Sequence, residues 1–181
     1  MRMKNQAKRE RNVIQKLSGG DLRSIGRANE AVQSVQTQQD FDRLFTALSA
    51  GDRRVVMRAA DAIEKITRRY PQYLAAHKAE TLRLFQSDAP IELRWHLAQL
   101  IPRLKLNRRE AGKVWIALEC WAADNADSKI VRVNALQALS DLLPLLPQQH
   151  TRFLQLISVL ERERVPSLNA RIRRIRKRHA V

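Results

Sequence analysis

The chain has 181 residues, 44% of them apolar, which is enough for one packed domain. Its 5 glycines and 6 prolines argue against long loops or an all-β fold. A formal charge of +16, from 34 basic against 18 acidic residues, suits contact with a polyanion: nucleic acid, an anionic membrane surface or an acidic protein. The single cysteine, Cys120, excludes an internal disulfide and fits a reducing compartment.

In chain order, residues 3–18 read as a helix with Val13, Ile14 and Leu17 on one side, ended by Gly19-Gly20. The charged start has no apolar stretch behind it, so no secretory signal is expected, and no apolar run reaches membrane-span length. The expectation is a soluble cytoplasmic protein without a membrane partner. A second helix carries Ile25, Ala28, Ala31, Val32 and Val35, and a polar joint follows from Gln36 to Gln39. From residue 40 the pattern repeats. An outer helix with Phe41, Leu44, Phe45 and Leu48 precedes a turn at 49–52 and an inner helix over 53–69. The next pair is expected near 72–87 and 91–105, with Pro90 at a first helical position. A third pair is expected near 109–123 and from Ser128 to about 143, where Pro144 and Pro147 end it. The fourth runs from 149 to about 163, and Pro166 begins the last helix.

The repeat has a fixed length. Asp52, Pro90, Ser128 and Pro166 stand 38 residues apart, each opening an apolar-periodic segment. Counting from Val56, Arg94 and Arg132, offsets 3, 4, 6, 7 and 10 give Ala59-Ala60-Ala62-Ile63-Ile66, Leu97-Ala98-Leu100-Ile101-Leu104 and Ala135-Leu136-Ala138-Leu139-Leu142. All are apolar, and such offsets trace one helix face. A period of this length predicts stacked helix pairs. The reading is one domain over 1–181, with 1–39 as capping helices and 40–181 as repeats.

The pattern Asp52…Val55…Ala59-Ala60-x-Ala62-Ile63-x-x-Ile66 resembles a HEAT repeat, as does Ser128…Val131-Arg132-x-x-Ala135-Leu136-x-Ala138-Leu139-x-x-Leu142. Arg132 matches the family arginine directly and Arg94 by register; Val56 departs from it. In the fourth pair Leu168-x-x-Arg171-Ile172-x-x-Ile175 fits only a 36-residue step. The resemblance covers roughly 40–179. It implies a right-handed α-solenoid of about four HEAT-like pairs, a fold that serves scaffolds, adaptors and nucleic-acid binders, and rarely enzymes.

If the stripe is buried, offsets 2, 5 and 9 face away from it, toward the concave side. They are Arg58, Asp61 and Lys65; His96, Gln99 and Arg103; and Asn134, Gln137 and Asp141. In the 36-residue register the fourth rung is Ala170, Arg173 and Lys177. Mixed signs suit a protein or peptide partner, and this is the leading functional expectation. The alternative is nucleic-acid or other polyanion binding through cations off this face. Arg68, Arg69, Arg103, Lys105, Arg108 and Arg109 gather where inner helices end. Arg171, Arg173, Arg174, Arg176, Lys177 and Arg178 form a second cluster, and Arg2, Lys4, Lys8, Arg9 and Arg11 a third.

Chemistry is sparse. His77, His96, His150 and His179 are scattered and none has metal-ligand spacing, so neither a metal nor another cofactor is expected. No glycine-rich phosphate loop is present, and no small-molecule substrate is expected. Cys120 reads as a small buried thiol. Trp115 and Trp121 read as core, and Trp95 as half exposed. Trp121 with Asp124, or Trp95 with Asp61, supplies only superficial parts of a HEAT-like DNA glycosylase, so the chain reads as non-enzymatic.

Overall fold

Polar residues flanking the apolar segments start the helices. The computed structural model describes residues 17–18 and 26–179. In it, Thr37 Oγ1 accepts from the Asp40 N–H at 3.2 Å and Asp40 Oδ2 accepts from the Thr37 N–H at 3.2 Å. This reciprocal box satisfies two backbone donors that the first helical turn leaves open. Asn107 and Glu110 make the same box at 2.9 and 2.8 Å, and Asp52 Oδ1 accepts from the Arg54 N–H at 2.8 Å. The helices are α1 (Gly26–Ser34), α2 (Gln38–Thr46), α3 (Arg53–Arg69), α4 (Lys78–Gln86), α5 (Ile91–Leu100), α6 (Arg108–Ala123), α7 (Lys129–Leu142), α8 (His150–Arg162) and α9 (Pro166–His179). Among the described residues there is no strand, and the expected all-α class holds. No described helix is long and apolar enough to cross a membrane. The expected helix over 3–18, apart from Leu17 and Ser18, lies outside the described residues. So do Gly19-Gly20, Ile25 and the cluster Arg2, Lys4, Lys8, Arg9 and Arg11.

Two boundaries differ from expectation. The outer helix expected near 72–87 begins as a 3-10 segment, Pro71–His77, before α4. The Tyr73 carbonyl, which an α-helix would offer to the His77 N–H, instead accepts from Gln38 Nε2 at 3.1 Å. The inner helix expected to reach 105 tightens to 3-10 at Ile101–Arg103, because Pro102 brings no backbone donor. Pro90 stands one residue earlier than expected, at the N-cap of α5.

The chain divides into two compact units, Met1–Glu80 and Thr81–Val181. In the first, α3 packs against α1 and α2, and the ring of His77 stacks on Phe45 at 4.0 Å. In the second, helices form two layers. The inner helices α5, α7 and α9 pack in order, and each of α7 and α9 also packs on the outer helix that precedes it. Outer helices meet through Phe85 and Trp121 at 4.6 Å, and through Trp115 and Phe153 at 6.1 Å. Every stripe residue from Ala59 to Leu142 named above is buried, as are Leu168, Ile172 and Ile175. Burying one of the stripe's leucine or isoleucine side chains contributes roughly 1.5–3 kcal/mol.

Three carboxylates tie the first unit to pH. The Thr37 hydroxyl holds the Asp40 carboxyl below its ordinary 3.8, and the Arg54 guanidinium does the same for Asp52. Burial pushes Asp42 upward, but hydrogen bonds from Gln38 and His77 outweigh it and the value is lowered. A carboxylate lowered by folding stabilises the fold fully above its unfolded value, and that stability is lost as pH falls through the folded value. The melting temperature is therefore expected to be level between about pH 7 and 5 and to fall below about pH 4. Calorimetry on Asp40→Asn checks this: the acid limb should become shallower, and an unaltered limb would contradict the assignment.

Candidate functional site

Burial sorts the polar columns of the inner helices by offset. The offset-2 residues Arg58, His96 and Asn134 are buried, at 0%, 1% and 7% exposure. The offset-5 and offset-9 residues Asp61, Lys65, Gln99, Arg103, Gln137 and Asp141 are half-buried. The expectation that all three columns face outward thus fails for the first. An inner helix is packed by an outer helix and also by the neighbouring inner helix, so its buried arc is wider than one stripe. Arg58 Nη1 donates to the Leu17 carbonyl at 2.7 Å inside the first unit. His96 lies against Trp95 within the second, and Trp95 is half-buried as expected.

The half-buried columns are joined to each other. In the first unit Lys65 Nζ donates to Asp61 at 2.7 Å and to Asn29 at 2.8 Å. In the second, Gln99 Nε2 donates to Asn134 Oδ1 at 2.9 Å, linking α5 to α7. Gln137 donates to Asp141 at 3.0 Å and accepts from Arg171 Nη1 at 3.0 Å, linking α7 to α9. Arg178 donates to Asp141, and Ser140 Oγ meets His179 Nε2 at 2.8 Å. The α9 residues that reach this ladder are therefore Arg171 and Arg178. Arg173 and Lys177, expected there from the 36-residue register, are exposed elsewhere. Burial, then the charge of Arg174, pulls the Arg171 guanidinium below its ordinary value. Arginine stays protonated regardless.

The remaining cations separate by whether a carboxylate meets them. Within 81–181 there are eighteen basic and nine acidic residues. The acids are largely committed. Asp127 binds Arg94, Glu119 binds Arg152 at 2.6 Å, Glu161 binds Arg176 at 2.8 Å, and Glu163 binds Arg132 at 2.7 Å. Glu110 closes the cap of α6. Among the described residues, Arg108, Arg109, Arg173, Arg174 and Lys177 are exposed and meet no carboxylate. Arg162 and Arg164, between α8 and α9, share that state and escaped the sequence reading. Lys105 is exposed and Arg103 half-buried. In the first unit Arg68 is bound to the buried Glu64 at 2.7 Å, and Arg69 lies 5.4 Å from the Tyr70 ring. Arg108 and Arg109 open α6, where positive charge opposes the helix dipole by roughly 0.3–1 kcal/mol each.

The residues weighed for chemistry have structural occupations. Trp121 lies between Phe85 and the Arg94 guanidinium, which is 4.8 Å from its ring centroid. Asp124 ends α6 and accepts from the Ala126 N–H at 3.0 Å. Asp42 binds His77 Nε2 at 2.7 Å. Cys120, expected to be buried, is exposed. It shares a face of α6 with exposed Ile116 and Lys113, one and two turns before it. Among the described residues no cluster of His, Cys, Asp or Glu could hold a metal ion. Compared with known proteins, the chain matches no family model, no curated protein and no solved structure.

Proposed function

We propose that the chain is a non-catalytic helical-repeat scaffold, a right-handed α-solenoid of HEAT-like pairs, that binds nucleic acid through surface cations. The repeat architecture is supported by side-chain bonds that span about one period: Gln99 to Asn134 at 35 residues, Arg171 to Gln137 at 34 and Lys65 to Asn29 at 36. Stacked repeats touch only their neighbours, and such ties are what that arrangement requires. The polyanion reading rests on one observation. In the second unit five of the nine acidic residues are bridged by arginines, while a separate set of exposed cations meets no carboxylate among the described residues. Cations neutralised within the fold add little to binding; unneutralised ones release counterions when they meet phosphates.

Titration of a fluorescent duplex across a salt series tests this. Four phosphate contacts would lower affinity about 100-fold between roughly 50 and 200 mM monovalent salt. A flat salt dependence, or no binding at the low end, would sink the proposal. Capture of a protein or peptide along the inner helices is the second reading. It is supported by Ile130, 44% exposed one turn before Asn134, whose carbonyl accepts from Asn134 Nδ2. A flat salt dependence would favour that reading instead.

A further inference from the structure

The turn between α8 and α9 carries a backbone conformation that its side chain does not favour. Arg164 has φ of 55°, the only positive value at a non-glycine among the described residues. It closes α8 by donating its N–H to the Glu161 carbonyl at 3.2 Å. Glycine is the usual occupant of this left-handed position, because a Cβ crowds the following carbonyl. A cation near a helix C-terminus gains from the dipole, but Arg162 already stands in the last turn of α8. The turn is fixed on both sides. Buried Arg132 holds Glu163, and Arg176 of α9 grips Glu161 through two hydrogen bonds, at 2.8 and 3.2 Å. Strain at a position held this firmly is found where a side chain is needed for function.

Helix α9 then presents a matching stripe. Leu168, Ile172 and Ile175 are buried; Arg176 reaches α8, and Arg171 and Arg178 reach α7. At 100° per residue the face left over carries Arg173, Arg174 and Lys177, all exposed and without carboxylates among the described residues. Arg173 and Lys177 lie about 6 Å apart along the helix, close to the step between successive phosphates of one strand. Residues 164–181 contain no aspartate or glutamate. Resting on the proposed polyanion reading, we infer that Arg164, Arg173, Arg174 and Lys177 form a contact for the sugar-phosphate backbone of double-stranded nucleic acid. Recognition of unpaired bases needs exposed aromatic rings among the cations. In this unit Phe85, Trp115 and Phe153 are buried, and Trp95 and Trp121 are half-buried, the latter against Phe85 and the Arg94 guanidinium. The stripe therefore reads phosphates rather than bases.

The test uses the full chain and two variants, Arg164→Gly and the triple Arg173→Gln/Arg174→Gln/Lys177→Gln. Binding to a 20-base-pair duplex, the matching single strand and phosphatidylserine vesicles is followed by fluorescence anisotropy or co-sedimentation across a salt series. Arg164→Gly should raise the melting temperature by about 2 °C by relieving the left-handed backbone. It should also make the log–log salt slope for duplex shallower by about one. The triple variant should make it shallower by about two to three. Stabilisation together with lost duplex affinity is a combination that a purely structural arginine does not give. A lower melting temperature for Arg164→Gly would overturn that residue's assignment. Unchanged slopes in both variants would overturn the site while leaving the polyanion proposal intact. Single-strand or vesicle binding as tight as duplex binding would overturn the duplex assignment. Failure of the wild-type chain to bind any of these would instead remove the polyanion proposal itself.

Discussion

Replacing Arg132 by methionine is expected to lower the unfolding free energy by about 3 kcal/mol and the melting temperature by roughly 6–12 °C. Methionine keeps much of the aliphatic volume, so the loss isolates the guanidinium. Arg132 is 2% exposed; its Nε donates to the Ala122 carbonyl at 2.9 Å and its Nη2 to Glu163 at 2.8 Å. Ala122 lies in the last turn of α6, where carbonyls have no partner within the helix. Without the guanidinium, that carbonyl is buried unpaired, while the partly exposed Glu163 regains water. Lysine should not restore stability, because an ammonium cannot span the two acceptors as the planar fork does. Urea unfolding of the Met and Lys variants decides the matter: a loss below about 1 kcal/mol would class the bridge with ordinary surface pairs.

The second large effect is in the first unit. Arg58→Ala is expected to cost about 3 kcal/mol, from the cavity left by a fully buried side chain and from the loss of its bond to the Leu17 carbonyl. A denaturation midpoint within error of wild type would refute this. The same variant is a poor probe of partner binding, since lost capture would report unfolding. His96, at 1% exposure, carries the same warning.

These two arginines mark what the chain discloses before folding and what it does not. The apolar stripe was legible because its offsets repeat in three segments, and each of its members is buried. The helix pairs followed from it within a few residues, except where Gln38 takes the Tyr73 carbonyl or Pro102 withholds a donor. Arg132 was legible as a motif residue, but its partners were not, because Ala122 lies in the last turn of α6 and Glu163 follows α8. Arg58 and His96 were misplaced because a polar residue beside a stripe was counted as outside it. Side packing between inner helices widens the buried arc, and only tertiary contacts reveal that. Cys120 was misread for the opposite reason: an apolar neighbourhood in the chain suggested burial, although its helical neighbours Lys113 and Ile116 are exposed. The cations of α9 were visible as a cluster. Their division into bound Arg171, Arg176 and Arg178 and unbound Arg173, Arg174 and Lys177 depends on which face of the helix each occupies. Arg164 gave no sequence signal, because backbone strain has no composition.

The bonds between residues about one sequence period apart also bear on how quickly the chain can find its structure. Gln38 to Tyr73, Arg94 to Asp127, Gln99 to Asn134 and Arg152 to Glu119 each close loops of 33 to 35 residues. The entropy of loop closure grows only logarithmically with length, and helical proteins rich in near-neighbour contacts fold in microseconds to milliseconds. Each of these ties can therefore form once about 35 further residues have been synthesised, without waiting for a distant segment of the chain.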